Sequence, residues 1–296
     1  MPSRAVPYLI VDAFTDQPFS GNPAGVVLDA EGLTEREMQA IAREINLSET
    51  AFLSRSKHPE CRFRLSFFTP SREIKLCGHA TVATYAALAE RGGLQAGDRF
   101  QHETGFGPLP VEVRAGPRVY LGGEPWSYGA PPVSQQEIAR LLGLPVGALE
   151  TKVPPGVVSG RHLMVPLRDL DALDSVKPDL DGIAALSRQQ DWVGVAAFTL
   201  QSCEPDVLAT LRYFVPAYGI PEDPVTGVAN AALGGYLGHH GLVPFEKGLA
   251  RFEVTQGAHV GRPGRLFVEV EGAPGAVSAM RVGGAACVVA RGEFLL

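Results

Sequence analysis

The sequence predicts an α+β fold built twice, as two pseudo-symmetric units that each wrap a sheet around a central buried helix. Three observations carry this reading. A loop occurs twice: Pro70 leads into Cys77-Gly78-His79-Ala80-Thr81, and Pro216 leads into Thr226-Gly227-Val228-Ala229-Asn230. The flanks match as well, since Cys77 to Gly92 equals Thr226 to Gly241 in length, and Phe52 to Pro70 equals Phe198 to Pro216. Each loop also opens a helix-forming stretch without Asp, Glu, Lys or Arg, Gly78 to Ala89 and Val228 to Leu237. A helix that is apolar nearly all round must be buried on most sides.

The elements follow in order. Tyr8 to Phe14 reads as a strand, Ser20-Gly21-Asn22-Pro23 as a turn, and Gly25 to Leu28 as a resumed strand. Thr34 to Ile45 reads as a helix, with Thr34 and Glu37 as a capping box and Met38, Ile41, Ala42 and Ile45 on one face. Thr50 to Leu53 and Arg62 to Phe68 are strands, the second alternating cleanly. After the first buried helix, Glu103 to Leu121 reads as strands around Gly105 and Gly107. Gly122 to Pro132 is rich in glycine and proline and reads as a crossover. Ser134 to Leu142 is a second helix with Ser134 and Glu137 as its box. Arg161 to Val165, Trp192 to Leu200 and Val207 to Phe214 are strands. Arg251 to Thr255 and Leu266 to Val270 form a hairpin, and Ala285 to Gly292 is a closing strand.

Bulk properties bound the function. A chain of 296 residues, 45% hydrophobic and 20% charged, is ample for a large core. The net charge of -6, without a basic patch, argues against nucleic acid as a partner. The opening residues carry no signal-peptide core, and no apolar run reaches membrane-spanning length. The four cysteines, Cys61, Cys77, Cys203 and Cys287, are scattered without a CxxC pair, and no metal-ligand spacing, Walker loop or dinucleotide fingerprint occurs. A reduced, cytoplasmic protein acting without metal or cofactor is the expectation.

The two loops are where chemistry is expected. A helix start presents free backbone N–H groups and the positive end of the helix dipole, and glycine in second place (Gly78, Gly227) lets a ligand reach the backbone. Two such loops facing one cleft would hold a small anion such as a carboxylate. The alternative is that both glycines only serve tight turns. The copies differ chemically. Aligned on Phe52 and Phe198, Glu49 falls opposite Val195, so one half carries a candidate general acid/base and the other an aliphatic residue. His79 suits a proton relay or a structural hydrogen bond, and Asp223 precedes the second loop, where it can also simply start the turn before Pro224. Cys77 at a helix start is a candidate acid/base or a small packing residue, and its counterpart Thr226 is a poor proton acceptor.

These residues resemble the PhzF-like (phenazine biosynthesis isomerase-like) family along most of the chain. The likeness is clearest in Val11-Asp12-Ala13-Phe14, Gly21-Asn22-Pro23-Ala24-Gly25, Asn46-Leu47-Ser48-Glu49-Thr50, Phe68-Thr69-Pro70 through Thr81, and Glu222-Asp223-Pro224-Val225-Thr226-Gly227. The resemblance implies a diaminopimelate-epimerase-like fold with mostly antiparallel sheets. Its first unit would span residues 1–121 and 282–296, its second 122–281, and its active site would lie between them. It also implies a homodimer and cofactor-independent proton movement between carbons of a small carboxylic acid. Glu49 then matches the acid/base, His79 and Asp223 match supporting catalytic residues, and Asn22 resembles a substrate-binding asparagine. Cys77, Gly78, Thr226, Gly227 and Val228 fall on the substrate-binding loops.

The family's second motif commonly continues Gly-Ser-Ala-His, whereas here it is Gly227-Val228-Ala229-Asn230. Val228 lacks the hydroxyl and Asn230 the imidazole. One thiol and one threonine do not make a two-base racemase. The reading is therefore an isomerase using Glu49. The alternatives are a Cys77-dependent lyase or epimerase, and a binding or regulatory protein on the same fold.

Overall fold

The computed structural model describes residues 4–116, 118–122 and 127–296. Residues 123–126 of the glycine- and proline-rich crossover, like residues 1–3, lie outside them. The chain forms two compact units, Met1–Gly122 with Gly283–Leu296, and Gly123–Val282.

The first unit is a mixed sheet around one helix. Strand β1 (Ala5–Ala13) pairs antiparallel with β2 (Asn22–Val27). Helix α1 (Glu35–Ile45) leads to β3 (Thr50–Arg55), which lies parallel to β2. Strand β4 (Cys61–Phe68) runs antiparallel to β3 and to the short β5 (Glu73–Ile74). After helix α2 (Gly78–Glu90), β6 (Arg99–Thr104) joins β4 in parallel, and β7 (Gly107–Arg114) and β8 (Arg118–Gly122) follow as antiparallel neighbours. Helix α2 packs against β1, β2, β3 and β8, so the sheet curls around it.

The second unit repeats this order. Two-residue β9 (Tyr128–Gly129) pairs with β10 (Gly156–Val158), beyond helix α3 (Gln135–Leu141). Strand β11 (His162–Pro166) is antiparallel to β10. Helices α4 (Leu170–Asp174) and α5 (Leu180–Gln190) precede β12 (Gly194–Thr199), which is parallel to β11. Strands β13 (Ala209–Val215) and β14 (Ile220–Asp223) continue antiparallel. Helix α6 (Gly227–His239) comes next, then β15 (Leu249–Gln256) parallel to β13 and β16 (Gly264–Ala273) antiparallel to β15. The parallel pairings fall at the same steps in both units. Strand β17 (Ala276–Gly284) leads out of the second unit, and β18 (Ala286–Leu295) pairs along the whole of β1.

Local chemistry explains the helices. Thr34 closes a full capping box on α1: its hydroxyl accepts from the Glu37 N–H, and the Glu37 carboxylate accepts from the Thr34 N–H. At α3 only half of the expected box forms. Ser134 accepts from the Glu137 N–H, but Arg140 holds the Glu137 carboxylate in a two-pronged ion pair. The expected turn at Ser20 to Pro23 is shorter than read. Gly21 alone turns, at φ 62, where a Cβ would collide with the Ala13 carbonyl, and Asn22 and Pro23 already belong to β2. The Asp12 carboxylate, itself buried, holds this turn by accepting from the Phe19 N–H at 2.7 Å.

The region between Pro166 and Gly194, to which the sequence reading gave no element, holds α4 and α5. Asp169 caps one and Asp179 the other, each accepting from the backbone N–H three residues on. Helices α1 and α5 both stop at a left-handed residue, Asn46 and Asp191, each at φ 55. They occupy the same step of the repeat, and each backs an apolar layer on its sheet. Ile41, Phe52 and Phe68 lie in the first layer, Ile183, Val195 and Phe214 in the second.

Helices α2 and α6 are buried almost throughout, as their composition requires. Thr81 and Thr84 can sit inside α2 because their hydroxyls donate to the carbonyls of Cys77 and Ala80, both at 2.7 Å. Tyr236 of α6 donates to the Pro154 carbonyl, and burial pushes its pKa up.

Candidate active site

Helices α2 and α6 differ from the outer helices at one point. Helices α1, α3, α4 and α5 all have a side chain capping their first turn, whereas α2 and α6 have none. The first intrahelical bonds are Thr81 N–H to the Cys77 carbonyl and Asn230 N–H to the Thr226 carbonyl. The N–H groups of Gly78, His79 and Ala80, and of Gly227, Val228 and Ala229, precede them and have no carbonyl within their own helix. Gly78 has no positive φ, and a Cβ built on it meets nothing within 4 Å. Neither backbone conformation nor packing within the protein therefore demands glycine there, and the tight-turn alternative fails at this position. The space beside the backbone is open.

Three of the expected residues come together at α2. The Glu49 carboxylate ends the loop before β3, and its Oε2 lies 3.4 Å from His79 Nε2. Cys77 Sγ lies 3.4 Å from His79 Nδ1 and 3.9 Å from its Nε2. All three side chains are largely buried, with Glu49 and His79 only 14% and 9% exposed. Residues two apart do not meet on a helix surface. Cys77 reaches His79 because it is the N-cap and has extended backbone, φ -142 and ψ 114. Among the described residues this is the group of His, Cys, Asp and Glu side chains able to hold a metal ion, with one donor atom from each within 4.8 Å of the others. Sequence spacing gave no sign of it, because Glu49 arrives from a different strand connection. Asn22, buried at the start of β2, belongs to a strand that packs against α2.

The second loop is organised otherwise. Thr226 Oγ1 donates to Asp223 Oδ2. Gln256, at the end of β15 and almost fully buried, ties the segment together. Its Oε1 accepts from the Thr226 N–H at 3.1 Å and from Asn230 Nδ2 at 2.8 Å. Its Nε2 donates to the Asp223 carbonyl at 2.9 Å and to Thr226 Oγ1 at 3.1 Å. Two donors on one side fix which end of the amide is oxygen. Thr226 Oγ1 is thus an acceptor from Gln256, and its own proton goes to Asp223. The neighbouring Glu222 is gripped by the Arg212 guanidinium at 3.0 and 2.8 Å, which anchors β14. Val228, half-buried, follows Gly227 at the helix start. Asn230 is fully buried and braces the Thr226 carbonyl, so it works as a helix-end strut. Val195, opposite Glu49 in the repeat, is sealed in the apolar layer. Gln256 and Arg212 are the residues the sequence reading missed.

Comparison with known proteins agrees with the architecture. Residues 11–292 match the family model PhzC-PhzF, phenazine biosynthesis-like protein. The chain is 36% identical over 293 residues to a protein of Clostridium acetobutylicum named as an uncharacterised isomerase, covering 97% of each chain. It is 31% identical over 295 residues to the trans-2,3-dihydro-3-hydroxyanthranilate isomerase of Pseudomonas aeruginosa, covering 98% of this chain and 99% of that one. The crystal structure of a PhzF-family phenazine biosynthesis protein from Bacillus anthracis superposes with a TM-score of 0.89 at 31% identity, covering 99% of this chain and all of that one. Among the described residues no helix is long and apolar enough to cross a membrane. With its repeated sheet-and-helix units and a match along nearly its whole length, the chain belongs to the phenazine biosynthesis-like family, a family of isomerases.

Proposed function

We propose that this isomerase moves a proton between two carbons of a small carboxylic acid, with Glu49 as the general acid/base and no cofactor in the reaction. The observation that supports it is the Glu49–His79 contact at 3.4 Å, beside an uncapped helix start with open space at Gly78. In this reading the substrate carboxylate accepts from the free N–H groups at the start of α2, with Asn22 assisting. Glu49 takes a proton from a carbon next to an activating group and returns it to another carbon of the same molecule. His79 orients the Glu49 carboxylate and can pass its proton. Asp223, held by Thr226, supplies the supporting carboxylate of the second unit. Val228 brings no hydroxyl and Asn230 no imidazole to the second loop, so the substrate is sought among several small carboxylic acids.

The test is solvent-deuterium incorporation, followed by mass, into a panel of small cyclic and amino carboxylic acids. The panel includes trans-2,3-dihydro-3-hydroxyanthranilate, the compound named for that relative. Exchange by the parent enzyme that Glu49→Gln reduces by about 10²- to 10⁴-fold is the expected result. A Glu49→Gln variant as fast as the parent removes Glu49 from the mechanism. Cys77 Sγ, 3.4 Å from His79 Nδ1, supports one second reading, in which the thiol carries the proton. Full activity in Cys77→Ser would end it.

A further inference from the structure

We infer that the Glu49, Cys77 and His79 side chains form a binding site for one soft divalent cation, of which zinc is the best match. The site shares these residues with the isomerase reading, while its argument rests on donor chemistry alone.

The spacings fit. A tetrahedral zinc ion holds nitrogen and oxygen donors at about 2.0–2.2 Å and thiolate sulfur at about 2.3 Å, which separates neighbouring donors by about 3.3–3.6 Å. His79 Nε2 lies 3.4 Å from Glu49 Oε2 and 3.9 Å from Cys77 Sγ, and one donor atom of each residue falls within 4.8 Å of the others. Cys77 Sγ has the furthest to come, by rotation of its side chain, for the three donors to meet on a single ion. A nitrogen, a sulfur and an oxygen donor are the mixed set that zinc accepts, whereas magnesium and calcium favour oxygen.

The charge also fits. A helix start repels a cation but stabilises thiolate. One thiolate, one carboxylate and one neutral imidazole cancel the two positive charges of the ion, so the occupied cluster is neutral. That matters where Cys77 and His79 are nearly buried. Three protein donors leave a fourth position open, as in zinc sites that take up water or a small anion. The open space beside Gly78 lies at the same helix start. A carboxylate that ligates metal cannot also take a proton, so an occupied site is a closed one for acid/base work by Glu49. The cation acts as a reversible blocker of that carboxylate.

The probes are zinc chloride, for calorimetric titration, and cobalt chloride, for absorption spectroscopy, with the purified full chain and no substrate. The expected result is one equivalent of zinc bound, and a thiolate-to-cobalt charge-transfer band that Cys77→Ser abolishes. Both Cys77→Ser and Glu49→Gln weaken zinc binding by at least about tenfold, as loss of one of three ligands should. The surface control Cys203→Ser leaves binding unchanged. Magnesium chloride gives no heat of binding. Absence of stoichiometric zinc binding, absence of the cobalt band in the parent protein, or zinc affinity untouched in Cys77→Ser would each overturn the proposal. Should Cys77→Ser not fold, the parent cobalt spectrum and Glu49→Gln still decide. Binding is read without turnover, so failure of the isomerase reading leaves this test intact, and the converse holds.

Discussion

The start of α2 and the start of α6 are copies of one loop, yet they use their polar atoms in opposite ways. At α6, Thr226, Asn230 and Gln256 feed hydrogen bonds to one another and to Asp223, and Gln256 uses both ends of its amide within the protein. At α2, Glu49 Oε2 and Cys77 Sγ each stand 3.4 Å from a nitrogen of the one His79 ring. The difference teaches a division of labour within a duplicated fold. One copy gathers titratable side chains close together. The other copy turns its polar side chains into scaffolding that holds a single carboxylate.

The largest effect that could break this comparison is on chemistry. Glu49→Gln should lower solvent-hydrogen exchange by about 10²- to 10⁴-fold, while the aligned Val195→Leu should leave the rate within the range of a packing change. Rates for the two variants measured side by side decide it. Equal losses would mean that the units share the chemistry.

The next effect concerns pH and separates the units. Burial alone lowers the pKa of His102, in β6 of the first unit, to about 4 from its ordinary 6.5. The unfolded chain then takes up a proton that the folded unit refuses. Stability is complete above about pH 6.5 and falls as pH drops towards 4, by about 3 kcal/mol in all. Hydrogen exchange followed by mass between pH 7 and pH 4.5 should show the first unit losing protection, and His102→Gln should flatten the slope.

A smaller effect tests the scaffolding. Gln256→Leu leaves the Thr226 N–H and the Asn230 amide without their shared acceptor and should cost about 1–3 kcal/mol in denaturant unfolding. An unchanged unfolding midpoint would show that the α6 loop stands without it. The smallest effect on stability is expected at Gly78. Gly78→Ala should leave the unfolding free energy unchanged or raise it by less than about 1 kcal/mol, because alanine favours a helix and nothing crowds its Cβ. Exchange activity should nonetheless fall by about tenfold or more, since a methyl group there displaces whatever approaches the backbone. Loss of stability without loss of activity would reverse the reading of that space.

Much of this was legible in the sequence because local rules and global fold agree. Thr34 and Glu37 announce α1, and the uncharged stretches after Cys77 and Thr226 announce the two buried helices. The duplication itself implied a helix between β11 and β12, where α1 stands in the first unit. Reading residues 170–190 by local pattern alone passed over it, although Asp169, Asp179 and Asp191 mark its caps. Glu49 and Cys77 were individually visible as candidates, but their meeting around His79 depends on an extended N-cap and a strand connection. Gln256 was out of reach. A glutamine thirty positions from Thr226 carries no periodicity, motif or charge that would connect it to the loop it holds.

The pairing of β18 with β1 has a consequence for how the chain is made. Ala5 lies opposite Leu295, so the earliest described strand of the first unit waits for the latest one. During synthesis the second unit has all of its strands before the first unit has its outermost one, the reverse of the N-to-C order in which separate domains mature. Until then β1 is an open edge, able to pair with a neighbouring nascent chain. Glu49, His79 and Cys77 belong to that later-finished unit, so the candidate site matures only after the second unit has all of its strands.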